Sequence, residues 1–395
     1  MSARPAAWSL NARAVFDALL AHGMLTRGEI AESTGLSRVT ASGVVEQLIR
    51  RGIVEYAATV PWSSGGPNAR TYALRPTAAY VVGVAAHLDR IAVATATITG
   101  DVLAESTCAV EAGGDTADRF HRLILESLAA AAAPVERLHR VVVGTPGVVD
   151  PSAQGYVSFT SDVRSWQADI TSLGGALGCP VICENDVKLA ALSEMHLGAG
   201  RGVRDLVLAW IDDGFALGAI VGGRLLRGDH GWAGEIGFMP AAVTGPVVGT
   251  RRGGTHVATV QSALNAHGIY ALGEHFGVAQ ADVLAAMSAR FTGVAGADTL
   301  FAEIAHRVAL AIAPPILILD PDVVVLTGSV ALAGGQPLLD SVIAELREFG
   351  PLPLSIMLSE LDREAVAQGA VLLALADARD GLFDGTSADE GLDPL

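Results

Sequence analysis

The sequence has only three cysteines in 395 residues, at positions 108, 179 and 183. A disulfide framework in a chain of this length would need more of them, so a buried core must hold the fold. Aromatic residues are also scarce, at 5%, whereas 51% of the residues are hydrophobic and 45 are glycines. This composition favours alternating strands and helices joined by tight turns, with enough length for two or three domains.

Long uninterrupted apolar segments are missing as well. The longest, Val308–Leu319, is too short to span a membrane, and we expect Pro314 and Pro315 to break it. The first residues lack the apolar core of a signal peptide. We therefore predict a cytoplasmic protein without a membrane segment.

Positive charge is scarce overall but unevenly distributed. The chain has 26 Lys and Arg against 42 Asp and Glu, a net charge of −16. Lys188 is the only lysine, which we attribute to codon usage rather than to function. Residues 1–76 contain eight arginines and five acidic residues, a balance of +3, so the remainder carries −19. An acidic protein that binds nucleic acid needs such a locally basic segment.

The basic segment, residues 1–76, is predicted to fold as a winged helix-turn-helix. Apolar residues at helical spacing indicate a helix over 11–22, a capping box at Thr26 opens a second helix, and Ser37 caps a third. Two short strands within residues 53–74 form a hairpin. Three helices, with a short turn between the second and third, and a hairpin are typical of this DNA-binding fold.

In such a fold, the first residues of the third helix contact base edges and the surrounding arginines contact phosphates. Arg38 can donate two hydrogen bonds to a guanine, and its neighbours are small or polar. The predicted DNA contacts are Arg27, Ser37, Arg38, Thr40, Ser42, Arg51 and Arg70. The alternative, a winged helix that contacts only proteins, is disfavoured by this cluster of arginines.

After Pro76 the pattern changes to three strands and a helix, and a second such arrangement begins at Asp205. Two similar halves, each a mixed sheet with helices, predict an α/β body with two actin-like (ribonuclease-H-like) lobes and a cleft between them. The predicted segments are 77–190 for the first lobe, 191–359 for the second lobe, a helix near 360–380 that packs on the first lobe, and a disordered tail at 381–395.

Two stretches carry polar groups suited to a ligand. In CENDVKLAALSE a strand runs into a helix, so Asn185 and Asp186 could face the cleft and hold sugar hydroxyls, with Asp186 as a general base. They could equally well only cap the helix. In GDHGWAGEIGFMP, Glu235 sits between apolar residues and needs a partner, either an internal donor or a ligand hydroxyl.

Together these stretches resemble the ROK family of repressors, open reading frames and sugar kinases over nearly the whole chain. The matching segments are GTPGVVD (144–150), ENDVKLAALSE (184–194), GGRLLRGDHGWAGEIGFMP (222–240) and DPDVVVLTGSVALAG (320–334). The winged helix in front is typical of the family's regulators and is generally absent from its kinases. The resemblance implies a homodimeric or homotetrameric repressor that binds double-stranded operator DNA. It also implies a sugar or sugar-derivative effector, held by Asp162, Asn185, Asp186 and Glu235.

Departures from the family pattern decide the predicted activity. Family kinases hold ATP phosphates with an Asp-x-Gly-Gly-Thr turn, and Ala85–Asp89 stand there in this chain. The second phosphate loop, Gly-Thr-Gly-x-Gly in the family, is Asp213–Gly218 here, and the adenosine-side Gly-Gly-Gly is Thr327–Ser329. We therefore expect no catalytic residue, no kinase activity and no cofactor. The alternatives are an active ATP-dependent sugar kinase with a regulator domain, and a body that only forms oligomers.

The zinc site of the family is also altered. Phe238 replaces its His, and residues 239–257 contain His256 but no cysteine, so we expect no structural zinc. In the family that His also touches the sugar, and Asp162 replaces an Asn that does so too. The expected effector is therefore an unusual sugar or sugar derivative, or none.

Overall fold

The computed structural model describes residues 7–60, 69–87, 89–110, 116–150, 155–157, 170, 172–242, 250–252, 255–289, 295–352, 355–361 and 364–384. The N-terminal segment contains, in chain order, α1 (Ala7–His22), β1 (Leu25–Thr26), α2 (Arg27–Thr34), α3 (Arg38–Arg50), β2 (Val54–Val60) and β3 (Ala69–Leu74). The strands pair antiparallel in the order β1-β3-β2, so that β2 and β3 form the wing. This is the winged helix-turn-helix that the sequence predicts.

Local side-chain signals fix where these helices begin. Thr26 Oγ1 accepts the amide of Glu29, and the Glu29 carboxylate accepts the amide of Thr26, which confirms the capping box. Ser37 Oγ accepts the amide of Thr40 at 3.0 Å, which confirms Ser37 as the cap of α3. The helices pack around a core that includes Val15, Phe16, Leu19, Ile30, Val45 and Leu48.

In its described residues, the first lobe contains a five-stranded sheet, a two-stranded ribbon and two α-helices. Its elements are β4 (Tyr80–Ala86), β5 (Arg90–Thr97), β6 (Val102–Ala109), α4 (Thr116–Ala130), β7 (Leu138–Thr145), β8 (Val148–Asp150), β9 (Gly155–Val157), α5 (172–177) and β10 (Val181–Asn185). The sheet order is β10-β7-β4-β5-β6; β5 is antiparallel to β4 and β6, and β7 is parallel to β4 and β10. One face of this sheet is covered by α4 and α5.

The second lobe repeats this sheet order. Its elements, with the helices that flank it, are α6 (Asp186–His196), β11 (Leu206–Ile211), β12 (Phe215–Val221), β13 (Arg224–Leu225), β14 (Thr250–Arg252), β15 (Thr255–Val257), α7 (Val260–Leu264), α8 (Ala266–His275), α9 (Val283–Ala289), α10 (Ala297–Leu319), β16 (Val323–Thr327), α11 (Ser329–Arg347), β17 (Ile356–Leu358) and α12 (Ala365–Asp384). The sheet order is β13-β12-β11-β16-β17, again with the first three strands antiparallel and the last two parallel to the central strand. Two sheets of one topology explain why the strand pattern recurs along the sequence.

The prediction that Pro314 and Pro315 break the apolar segment is wrong, because α10 runs through both. Ile304, Val308 and Ile312 are fully buried in the core of the second lobe, and this packing outweighs the loss of two amide donors. Within the described ranges, α10 is the one helix whose length and composition would let it cross a membrane. Its buried side shows that it is a core helix of this lobe.

Two helices, α6 and α12, lie between the sheets and join them. α12 packs on β4 and β7 of the first sheet and along α6, which in turn contacts β11 and β12 of the second sheet. A Cβ atom at Gly369 of α12 would lie 2.0 Å from the carbonyl oxygen of Leu189, so the two backbones touch. The lobe boundary proposed at residue 190 falls inside α6, which contacts both sheets.

The far end of α12 reaches the winged helix. The buried Phe383 ring lies 6.3 Å from the Trp8 ring and 5.7 Å from the Phe16 ring, measured between centroids, and its carbonyl oxygen accepts the Ser9 hydroxyl at 2.7 Å. α12 therefore continues to Asp384, four residues into the segment expected to be a disordered tail. Disorder was predicted from the composition of the tail, which does not reveal the packing of Phe383. Residues 385–395 lie outside the described residues.

Gly369→Ala is expected to lower the free energy of unfolding by about 1–3 kcal/mol, because its methyl group must push α6 and α12 apart. The intrinsic preference of alanine for helices opposes this loss by about 1 kcal/mol. Urea unfolding followed by circular dichroism measures the difference. Gln368→Ala, a neighbouring and partly exposed position, is the control and should change stability by no more than about 0.5 kcal/mol. A Gly369→Ala protein as stable as the wild type would contradict the close contact.

Candidate functional site

The predicted base-reading residues lie at the exposed start of α3. Ser37, Arg38 and Thr40 are exposed, and Ser42 is partly exposed. Ser37 Oγ accepts the Thr40 amide and so caps the helix, and the Thr40 hydroxyl oxygen lies 2.8 Å from the Ser37 hydroxyl oxygen. Arg38 therefore remains as the charged side chain that extends from this turn.

Two of the other predicted arginines lie against tyrosine rings. Arg27 donates to Glu46 of α3 at 3.1 Å, and its guanidinium carbon is 5.3 Å from the centroid of the Tyr72 ring. The guanidinium carbon of Arg70, an exposed residue of the wing, is 5.6 Å from the centroid of Tyr56. Both remain predicted DNA contacts, although the ion pair with Glu46 offsets part of the charge of Arg27.

Arg51 lies on the side of the domain that faces the body. Its guanidinium carbon is 4.5 Å from the centroid of the Trp8 ring, a cation–π contact. Trp8 also donates to Gln47 of α3 through Nε1 and packs on Phe383. These contacts favour a structural role at the junction, and a phosphate contact by Arg51 stays a prediction.

The candidate effector site lies where β10 ends and α6 begins. Asn185 Oδ1 accepts the amide of Lys188 at 3.0 Å, and Asn185 Nδ2 donates to the carbonyl oxygen of Gly147 at 3.0 Å. Asn185 is therefore the cap of α6. Its second Nδ2 hydrogen is not used in either contact and is the part of this side chain that a ligand could bind.

Asp186 is the first residue of α6 and is not its cap. Its carboxylate accepts the amide of Val187 at 2.8 Å, and burial raises the pKa of this side chain to about 6. A carboxylate that is partly shielded from solvent is stabilised by a hydroxyl donor. Of the two roles left open by the sequence, Asn185 takes the capping role and Asp186 is the better candidate for a ligand hydroxyl.

Glu235 reaches the same site from the second lobe, just before the 3-10 helix Ile236–Phe238. Burial raises its pKa, the positive charge of Lys188 lowers it, and the negative charge of Asp186 raises it again. The three charged groups are therefore close enough to interact. Of the two partners that the sequence left open for Glu235, an internal donor and a ligand hydroxyl, the described residues supply no hydrogen-bond donor to its carboxylate.

Sequence reasoning missed Lys188, which joins the lobes. Its side chain is 1% exposed, and Nζ donates to the carbonyl oxygen of Gly231 at 2.6 Å. Gly231 has a φ of +78°, and a Cβ atom there would lie 2.0 Å from the Val149 carbonyl oxygen, so its loop also touches β8 of the first lobe. The sequence contained a signal for this residue, because Lys188 is the single lysine in a chain with 25 arginines. A single compact donor suits a buried carbonyl better than a guanidinium does.

A second buried charge lies beside Lys188. Glu184, the residue before the cap, accepts Arg227 Nε at 2.5 Å and the amide of Asn185 at 3.0 Å. Desolvation lowers the pKa of Lys188, and the negative charges of Glu184 and Glu235 raise it. Arg227 and Glu184 thus tie the second lobe to the end of β10, next to the candidate ligand groups.

The region corresponding to the family's zinc site does not offer a zinc donor set. Phe238 is 53% exposed and packs edge-to-face on Trp232, with 5.5 Å between ring centroids. Residues 239–257 supply one His and no Cys, which does not fit a tetrahedral zinc site. In the part of the chain that the structure describes, no three His, Cys, Asp or Glu side chains group as metal ligands. Asp162, another predicted effector contact, lies outside the described residues.

The residue before the second phosphate loop, Asp212, places a carboxylate at the start of a helix. Ser329 Oγ donates to Asp212 Oδ1 at 2.8 Å, and the Ser329 amide donates to Asp212 Oδ2 at 3.3 Å. Ser329 is the first residue of α11, and the amino end of a helix is where an anion such as phosphate would bind. Asp212 occupies that end, and the exposed Asp213 follows it.

Comparison with known proteins identifies the family of the chain. Residues 81–377 match the ROK family. The chain belongs to this family. It is 24% identical over 240 residues to the xylose repressor of Bacillus spizizenii, a match that covers 60% of this chain and 62% of that protein. It thus spans about 60% of the length of the curated repressors it matches.

Two solved structures show how far the likeness extends. A ROK family transcriptional regulator, a homologue of the E. coli MLC protein, covers 95% of this chain and 98% of its own, with a TM-score of 0.75 and 19% identity. The ROK hexokinase from Thermus thermophilus covers 76% of this chain and 99% of its own, with a TM-score of 0.63 and 25% identity. The first likeness confirms the predicted fold class, including the winged helix. Repressors and kinases are both among the relatives, so family membership alone does not decide the activity.

Asp186→Asn is expected to stabilise the ligand-free protein above pH 6. A carboxyl group whose pKa rises from about 4 to about 6 on folding costs stability once it is charged. The wild type should therefore lose stability, relative to the variant, as pH rises through this window, and the two should converge below about pH 4. Melting temperatures measured from pH 4 to 8 test this, with Asp213→Asn at an exposed site as the control. A variant less stable than the wild type at every pH would indicate that Asp186 is needed for the fold itself.

Proposed function

We propose that the protein is a DNA-binding transcriptional repressor whose operator affinity is controlled by a sugar or sugar derivative. The observation that carries the proposal is the physical junction between its two functional parts. The winged helix, with Arg38 exposed, is joined through the Trp8–Phe383 contact to α12. α12 packs along α6, the helix that begins at Asp186. The names of the related repressors support the same function.

The domain organisation that we propose follows from this arrangement. Residues 1–76 bind DNA. The first lobe extends from residue 77 to the end of β10, and the second lobe extends from β11 to β17. Helices α6 (Asp186–His196) and α12 (Ala365–Asp384) lie between the two lobes. We further propose a cytoplasmic homodimer or homotetramer, because two winged helices on one symmetric assembly would match the two half-sites of an inverted-repeat operator.

The effector site in this proposal is formed by both lobes. Asn185 and Asp186 come from the end of β10 and the start of α6, and Glu235 comes from the second lobe. Asp162 is a further proposed contact. A sugar that bridges Asp186 and Glu235 would change the angle between the lobes, and the α6–α12 contact would pass that change to α1. Operator affinity falls if the sugar prefers the arrangement that does not bind DNA.

Sugar kinase activity is the main rival, and the contact of Asp212 with α11 argues against it. ATP phosphates at this end of the helix would have to displace the Asp212 carboxylate from Ser329. Asp213 nearby would also repel them. We therefore propose that the protein is not an enzyme and that Asp186 binds a hydroxyl without activating it.

A body that only forms oligomers is the second rival. Phe238, which replaces a sugar-contacting His of the family, favours it. The partly buried carboxylates of Asp186 and Glu235 favour an effector instead, because burial raises the pKa of both groups and a sugar hydroxyl would stabilise their charged forms. The proposal therefore retains the effector.

A panel of sugars, amino sugars and sugar phosphates, without nucleotide, should contain a ligand that raises the melting temperature. A ligand at about 100 times its dissociation constant adds about 2.7 kcal/mol to the free energy of unfolding. Asp186→Ala should abolish this shift, and Asp213→Ala at an exposed site should retain it. A panel without any shift would favour a body that binds no sugar.

Duplexes enriched by the protein from a random DNA library should bind the wild type more tightly than Arg38→Ala by at least about tenfold, because each bidentate contact to a base is worth about 1–3 kcal/mol. Arg347→Ala, at an exposed site in the second lobe, is the matched control and should bind as the wild type does. Fluorescence anisotropy at fixed salt measures both. Equal affinity of Arg38→Ala and wild type would contradict base recognition through the start of α3.

A further inference from the structure

The exposed face of α3 contains a glycine that the fold does not explain. Gly43 lies in the middle of the helix, is exposed, and lacks a positive φ. A Cβ atom there would meet no described heavy atom within 4 Å. Alanine would therefore fit, and it would favour the helix about fivefold in the folding equilibrium.

Two buried glycines of this chain show an internal reason for glycine. A Cβ atom at Gly83 of β4 would lie 2.4 Å from the Ala367 carbonyl oxygen, and one at Gly369 would meet Leu189. At both Gly83 and Gly369, the absence of a side chain lets the backbone of another element pack closely. Gly43 faces open space instead, so any surface that approaches it comes from outside the described part of the chain.

Val39 lies on the same face as Gly43, one helical turn earlier. Its side chain is 85% exposed, the highest value among the exposed large apolar side chains that the structure describes. The hydroxyl of its neighbour Ser37 caps the helix, and the Thr40 hydroxyl is hydrogen-bonded with that of Ser37. The centre of this face is thus apolar and does not protrude, because the methyl groups of Val39 lie next to a position, Gly43, without a side chain.

The charge around this face suits DNA. Arg38 is exposed beside Val39, and Arg50 is exposed at the end of the helix. Glu46, the acidic residue seven positions after Val39, is paired with Arg27 at 3.1 Å, which offsets its charge. A polyanion can therefore approach α3 along its length.

We infer that Val39 and Gly43 mark the point at which α3 lies deepest in the major groove. Val39 packs against the 5-methyl group of a thymine, which is the apolar group that base edges present in that groove. Gly43 lets the helix backbone come closer to the DNA than any side chain would permit. The inference rests on the proposed DNA-binding function, and it names two residues that determine specificity there.

The first test is a size series at position 43 in the full-length protein. Gly43→Ala should raise the stability of the winged helix and yet weaken binding to library-enriched duplexes by at least tenfold, with Gly43→Leu weaker still. Gly175→Ala is the matched control, because Gly175 is also exposed in a helix (α5) with nothing described within 4 Å of a Cβ atom. It should leave DNA affinity unchanged. A Gly43→Ala protein that binds as tightly as the wild type would overturn the close approach.

The second test removes the thymine methyl group. Each thymidine of an enriched duplex is replaced in turn by deoxyuridine. At one position of each half-site, wild-type affinity should fall about fourfold, the value of one buried methyl group. Val39→Ala should bind both forms of that duplex equally, so the two changes are not additive. If no uridine affects the wild type, or if Val39→Ala remains as sensitive as the wild type, thymine recognition by Val39 is wrong.

These experiments distinguish a failure of the inference from a failure of the proposed DNA-binding function. A wild-type protein that enriches no duplex from the library would contradict both. A wild type that enriches a sequence, together with variants at positions 39 and 43 that bind it unchanged, would contradict the inference alone.

Discussion

The structure depends on the direct contact between α6 and α12. The backbone of α12 touches α6 at Gly369 and Leu189, and the Ser193 hydroxyl donates to the Ala365 carbonyl oxygen at 2.5 Å. Because α6 also lies on β12 of the second sheet and α12 on β4 of the first, this one contact sets how the lobes sit on each other. The C-terminal end of α12 in turn packs against α1 of the winged helix. Because a packed core deforms little, a displacement at the start of α6 would be transmitted through α12 to α1.

Local signals explain why the winged helix could be predicted closely. The capping box at Thr26 and the cap at Ser37 involve residues three positions apart, and both are formed. The strand pattern of the body was predictable for a similar reason, because buried β-branched segments recur in the same order in both lobes. The fold as a whole thus followed from short-range patterns and from resemblance to the ROK family.

Long-range contacts explain what the sequence did not show. Arg51 meets Trp8, Lys188 meets Gly231, and Phe383 meets Trp8 across separations that no periodicity encodes. The two prolines of α10 were misread because a buried helix can retain them. At the candidate site, the structure lets Asp186 and Glu235 interact electrostatically, and their role as effector contacts stays a prediction. The sequence could not divide the capping and binding roles of Asn185 and Asp186. It also left out Lys188, which links the lobes beneath the site.

The most direct test of the account is the coupling between sugar and DNA in the wild-type protein. Operator affinity is measured with and without a sugar that raises the melting temperature, and sugar affinity is measured with and without the duplex. The account predicts that the sugar weakens DNA binding and that DNA weakens sugar binding by the same factor, about five- to 150-fold. Sugar that binds fully while operator affinity stays unchanged would contradict it.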